Sequence, residues 1–182
     1  MKKNLFKVLS LAMAFLCLST VHAQETKAVS IIPQPQKLEA KGGEYLLPEK
    51  VVIGYDASFK AQAEYLQELL ARSTGRVAVL KEGKTKGSIV LQKDTVAVPV
   101  AEAYTLSVTP KCARIVASDA NGAFYGIQSL LQLFPAEIYS ASWQRNTEWK
   151  APCVEIYDAP ERPWRGLMMD VARYFYDKEF IK

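Results

Sequence analysis

The reading of this chain turns on Ala101–Pro135, "AEAYTLSVTPKCARIVASDANGAFYGIQSLLQLFP". Within it, "EAYTLSVTP" and "CARIVASD" are short, rich in β-branched residues and bounded by turn residues, so each predicts a strand. The segment "NGAFYGIQSLLQLFP" sets Phe124, Ile127, Leu130, Leu131 and Phe134 on one helical stripe. Pro135 ends it, because proline has no N–H to continue the hydrogen-bond ladder. The stripe reads as core packing rather than as the wall of a cofactor pocket.

Working outward, "DASFKAQAEYLQELLARSTG" spaces Phe59, Ala63, Leu66 and Leu70 as one apolar helix face, starting near Asp56 or Ser58 and stopping at Gly75. The segments "KVVIGYD", "RVAVLK", "GSIVLQK" and "CVEIYD" predict further strands. Near the start, the prolines and glycines of "IIPQPQKLEAKGGEYLLPE" suit an extended leading segment followed by a short hairpin. Strands interleaved with two helices predict an α+β domain with a mixed or antiparallel sheet. A composition that is 49% apolar supplies one proper core.

The N-terminus reads differently. Lys2, Lys3 and Lys7 lead into "VLSLAMAFLCLST" and the small-residue site "VHA", Val21–Ala23, the pattern of a cleavable signal peptide over residues 1–23. The apolar run is shorter than the roughly 20 residues of a membrane span. Bulky Phe15 and Leu16 before Cys17 argue against a lipid anchor there. The expected location is therefore periplasmic or extracellular. Cleavage removes three of 23 basic residues and none of 19 acidic ones, leaving a net charge close to +1. A near-neutral chain lacks the electrostatic footprint that a nucleic-acid partner demands. Cleavage also removes His22, the one histidine, and with it any Ser-His-Asp or Cys-His mechanism and any histidine metal ligand.

Other signatures fail on inspection. "GKT" at Gly83–Thr85 lacks the glycine of a phosphate-binding loop five residues earlier, where Ala78 stands, and a strand follows it. Glu155 and Asp158 are three apart on a strand and so face opposite sides, which reads as solvated surface. Cys112 and Cys153 could pair in an oxidising compartment if their strands lay side by side, but read as two small buried hydrophobes. No cofactor and no metal site is expected.

The Ala101–Pro135 stretch, with "DAPERPWRGLMMDVARYF" after it, strongly resembles the N-terminal accessory domain and first barrel strand of family 20 glycoside hydrolases, the β-N-acetylhexosaminidases. The most specific parts are "GAFYGIQSLLQL" and "WRGLMMDVAR". The likeness runs from "IIPQPQ" onward and implies an α+β accessory domain over 24–157, then over 158–182 the start of a (β/α)8 barrel, a fold that takes about 250 residues. It implies a fragment of a secreted exo-acting enzyme that removes terminal N-acetylhexosamine from glycans.

In that family the substrate's own acetamido oxygen is the nucleophile, and an Asp-Glu pair orients it and protonates the leaving oxygen. No Asp-Glu dipeptide occurs in residues 24–182, so no catalytic residue is assigned and the chain alone is expected to be inactive. One site residue carries over by position, Arg165 of W-R-G, expected to bind sugar hydroxyls with its fork of donors. On a strand it would share a face with Leu167 and Met169 and point into the barrel. The competing role is a bridge between the barrel and the accessory domain. Asp170 and Arg173 match the motif and read as structural, whereas Glu161, Arg162 and Tyr174 depart from it. Trp143 and Trp149 are expected to pack against the barrel rather than serve as sugar platforms. An alternative for the whole chain is a stand-alone secreted accessory or carbohydrate-binding module, and a third is another hexosaminidase family with a different barrel.

Overall fold

The computed structural model describes residues 29–83, 86–170 and 174–181. Residues 1–23, expected to be a signal peptide, Lys84 and Thr85 of "GKT", and Arg173 lie outside the described residues. In chain order the elements are β1 (Lys37–Leu46), β2 (Val52–Tyr55), α1 (Lys60–Thr74), β3 (Val79–Glu82), β4 (Ile89–Lys93), β5 (Tyr104–Thr109), β6 (Cys112–Ala117), α2 (Ala120–Leu133), β7 (Lys150–Asp158) and the four-residue α3 (Lys178–Ile181). The strands form one mixed sheet, ordered β1-β7-β5-β6-β4-β2-β3. Pairing is antiparallel on the β1, β7, β5 and β6 side and parallel across β6, β4, β2 and β3.

Each predicted strand is present, and the period-2 pattern decides its faces. Tyr104, Leu106 and Val108 of β5 and Ala113, Ile115 and Ala117 of β6 are buried, while the residues between them are half-buried on the open face. The buried set joins residues of both helices in one apolar cluster, so both helices cover the same side of the sheet.

Helix α1 follows a short 3₁₀ turn, Ala57–Phe59, whose Asp56 cap accepts the Ser58 N–H at 3.0 Å. It stops where Gly75 turns left-handed, with its N–H bonded to Ala71 O. The expected stripe of Phe59, Ala63, Leu66 and Leu70 is fully buried.

The stripe on α2 needs one correction. Ile127, Leu130, Leu131 and Phe134 are buried, but Phe124 is 37% exposed and Ala123 takes the core position. Ala123 lies four residues before Ile127 and so on the same face, and Phe124 instead meets Tyr65 of α1 with ring centroids 5.3 Å apart.

The leading segment also differs from expectation: there is no hairpin. Lys37–Ala40 and Glu44–Leu46 both pair with β7, and the chain bulges between them instead of reversing. Gly43, at φ 101°, supplies the left-handed residue of that bulge. Trp149 is likewise not held for another domain: it is 2% exposed, inside this domain's own core. Trp143 is half-exposed, with the Arg145 guanidinium 4.6 Å from its ring centroid. Cys112 and Cys153 are both free. Strand β5 separates their strands, and two strand spacings, about 9.6 Å, exceed the reach of a disulfide, about 7 Å between Cα atoms.

Helix α2 lies low on the sheet because Gly126 has no side chain: a Cβ there would stand 2.6 Å from Ile115 Cγ2 and 3.1 Å from the Tyr104 ring. Gly126→Ala is therefore expected to destabilise the domain by about 1 to 3 kcal/mol through overpacking, more than the helix propensity of about 1 kcal/mol it would gain. Gly42→Ala, whose added methyl meets nothing within 4 Å, should be nearly neutral. Urea denaturation of the two variants checks the contrast.

Candidate functional site

The site grows from the N-terminus of α2. Asp119 precedes that helix in extended conformation, and its Oδ1 accepts the Gly122 N–H at 2.9 Å. Its Oδ2 accepts the Glu102 N–H at 2.7 Å and the Ser118 hydroxyl at 3.2 Å. One carboxylate therefore caps the helix and ties down the turn before β5. Burial alone would raise its pKa, but the donors from Gly122, Glu102 and Ser118 outweigh burial and hold it below its ordinary 3.8.

Glu102 sits in that turn at φ 62°, a left-handed conformation uncommon outside glycine. Its Oε1 accepts from Asn121 Nδ2 at 3.1 Å, and its Oε2 accepts from Arg165 Nη2 in an ion pair. Arg165 also donates Nη2 to the Tyr125 hydroxyl at 3.1 Å and Nη1 to the Arg162 carbonyl at 2.6 Å. Its guanidinium lies 5.9 Å from the Tyr125 ring centroid. The hydrogen bond from Arg165, with that from Asn121, keeps the Glu102 carboxyl below its usual range. The bonds to Glu102 and Tyr125 push Arg165 upward.

Beside this cluster runs a groove of about 650 Å³ between α2, the leading segment and residues 158–161. Gln132 fixes one wall, accepting the Ile32 N–H and donating to the Ile32 carbonyl, both at 2.9 Å. Gln36 fixes another through the Asp158 carboxylate at 3.2 Å and the Ala159 carbonyl at 2.8 Å. Tyr104, its hydroxyl 2.6 Å from Ser129 Oγ, is pushed by burial to a pKa of about 12.

Chemically, this cluster can hold and orient groups by hydrogen bonds and charge. Glu102 stays ionised near neutrality and has no proton to give as a general acid. Among the described residues no group of three or more His, Cys, Asp or Glu is placed to hold a metal ion. Nor is any helix among them long and apolar enough to cross a membrane.

Arg165 thus lies against the sheet-and-helix domain, with Glu102 and Tyr125 as partners that the sequence reading missed. Glu102 carries no local signal. Tyr125 could have been noticed as the hydroxylated aromatic off the apolar stripe of α2. Glu155 and Asp158 stay apart as expected, since Glu155 pairs with Ser107 on the open face and Asp158 with Tyr104 on the helix side. Residues 159–170 form neither strand nor helix.

The capping role is testable. Asp119→Asn keeps the shape but turns one acceptor oxygen into an NH2 donor facing the donors that the carboxylate now accepts, so the domain should lose about 1 kcal/mol at neutral pH, the scale of one net hydrogen bond. A depressed folded pKa gives stability that is present above the unfolded value and lost as pH falls through the folded one. The gap between parent and variant should therefore close below pH 3.8, as followed by chemical denaturation across acidic pH.

Comparison with known proteins places this geometry. Residues 28–159 match the family model described as glycosyl hydrolase family 20, domain 2. The beta-hexosaminidase of Porphyromonas gingivalis W83 is 33% identical over 159 residues, covering 86% of this chain and 20% of its own length. A Streptomyces plicatus N-acetyl-beta-hexosaminidase, solved in complex with Thio-NAglucal, superposes with a TM-score of 0.72 at 30% identity, over 80% of this chain and 29% of that one. The GH20 beta-N-acetylhexosaminidase from Streptomyces coelicolor A3(2) does so with a TM-score of 0.70 at 32% identity and the same shares. The chain thus spans about a fifth to a third of the length of these relatives. With a seven-stranded mixed sheet, two covering helices and a match across most of its residues, the chain belongs to glycosyl hydrolase family 20.

Proposed function

We propose that this chain is the N-terminal portion of a secreted, exo-acting β-N-acetylhexosaminidase. Residues 1–23 are its signal peptide, 24–157 its accessory domain and 158–182 the opening of its catalytic barrel. The longer enzyme removes terminal N-acetylhexosamine from glycans by a substrate-assisted retaining mechanism in the periplasm or outside the cell. The chain alone is inactive.

The observation that carries this reading is the segment after β7. Leu167 and Met168 are 85% and 95% exposed, and Trp164 is exposed with them. A run with apolar residues on both alternating faces, Leu167 and Met169 on one and Trp164 and Met168 on the other, is what a parallel barrel strand needs, since it is covered on both sides, by the barrel interior and by outer helices. The relatives, about three to four times as long, support a larger catalytic unit. In that unit the fork of Arg165 binds hydroxyls of the terminal sugar.

The purified mature chain should give no turnover of a chromogenic N-acetylglucosaminide above a buffer blank, whereas the longer polypeptide should hydrolyse it. Activity in the short chain, with contaminating enzyme excluded, would falsify the division proposed. In the longer polypeptide, Arg165→Ala should lower kcat/KM by about tenfold or more, since charge-assisted hydrogen bonds to the sugar are lost. Part of the loss should appear in KM, and Arg165→Lys should rescue only partly. A lower melting temperature with near-normal kinetics would instead assign Arg165 a purely bridging role.

A further inference from the structure

The accessory domain grips Arg165 with parts that are themselves fixed. Glu102 is held in its left-handed conformation by the Asp119 carboxylate on its N–H, so its side chain projects from a backbone that cannot relax freely. Asn121, in the first turn of α2, occupies one carboxylate oxygen and leaves the other for Arg165. Tyr125, one helical turn further on, accepts from the same Arg165 nitrogen. A guanidinium has five N–H groups. Among the described residues, Glu102, Tyr125 and the Arg162 carbonyl engage three of them, and the Nε–H and one Nη1 N–H can serve another acceptor.

We propose that Glu102, seconded by Tyr125, is a positioning residue that holds Arg165 so that its two remaining donors are aimed at the terminal sugar. This rests on the reading of Arg165 as a sugar-binding residue, and it makes the accessory domain a contributor to sugar recognition. Bridging and binding are then one role, because the same planar group offers different N–H groups to each. An exposed ion pair adds little to stability. Its effect lies in restricting a long side chain that would otherwise sample many rotamers, and in the ordering cost this spares the bound sugar.

The first test uses the 182-residue chain. Trypsin must take the Arg165 side chain into its own pocket, so cleavage after Arg165 tracks the fraction of time the guanidinium is released. Glu102→Gln, of the same shape and backbone demand, should speed cleavage after Arg165 by about threefold to fivefold, the scale of an exposed ion pair. Cleavage after the exposed Lys178 should not change. Equal rates after Arg165 in parent and variant would overturn the grip.

The second test uses the longer polypeptide proposed above and the chromogenic N-acetylglucosaminide. Glu102→Gln should raise KM about fivefold with a smaller change in kcat and an unaltered melting temperature. In an Arg165→Ala background the same substitution should cost nothing further. A loss that adds in full to that of Arg165→Ala would show that Glu102 acts without Arg165, and the positioning role would be wrong. If the longer polypeptide shows no hexosaminidase turnover, the enzyme reading and the sugar role fall together, while the cleavage rates still decide whether Glu102 holds Arg165.

Discussion

The close seat of α2 on the β5–β6 ladder is the constraint from which the rest of the domain follows. Gly126 lets the helix axis approach Ile115 and Tyr104, and the hydroxyl pair of Tyr104 and Ser129 fixes the helix rotation. Asp119 fixes the helix start. With depth, rotation and start all set, Ile127, Leu130 and Leu131 have one way to bury, and interiors packed at crystal-like density tolerate little else. The helix then delivers the chain through Phe134 and the 3₁₀ turn Ala136–Tyr139 to β7 on the far side of β5. Leading strand β1 closes that edge, and β4, β2 and β3 extend the other under α1.

Much of this architecture is legible in the sequence because its signals are local. The helix periods, the start at Asp56, Gly75, Pro135 and the β-branched runs each state their element without reference to distant residues. What fails to show is what depends on pairing across long separations. "KGG" between two extended runs fits a hairpin as well as a bulge, and only the presence of β7 more than a hundred residues away makes one strand of it. Trp149 looks like a linker aromatic because the chain around it is polar, yet the strand that follows carries it into the core. Phe124 misleads in the opposite sense. The stripe of α2 is drawn correctly from Ile127 onward, but at its N-terminal end alanine is the residue that fits against the sheet, and the larger ring is displaced toward α1.

The candidate site divides in the same way. Arg165 is picked out by the motif it belongs to, while Glu102 lies 63 residues earlier and is joined to it only by folding. No residue-type preference would put glutamate at φ 62°. The Asp119 carboxylate accepts the Glu102 N–H and holds that conformation, and the sequence reading does not single out Asp119. A side chain whose role comes from a neighbour's cap cannot be found by spacing rules.

The titratable groups define what kind of contribution this domain makes. A catalytic acid or base is useful when its pKa is drawn toward the working pH. Every resolved shift here runs the other way. The carboxyls of Asp56, Glu102 and Asp119 move down, and the tyrosines Tyr45, Tyr104 and Tyr139 move up. The thiols of Cys112 and Cys153 also move up, chiefly by burial, and Lys150 and Arg165 rise with their hydrogen-bonded partners. Each group is thereby fixed more firmly in the charge state it already has near neutrality. Such a set neither donates nor accepts protons readily, but it holds charges and hydrogen-bond donors in constant places. The domain is thus suited to hold groups in place rather than to exchange protons, and at its edge Glu102 and Tyr125 hold the Arg165 guanidinium.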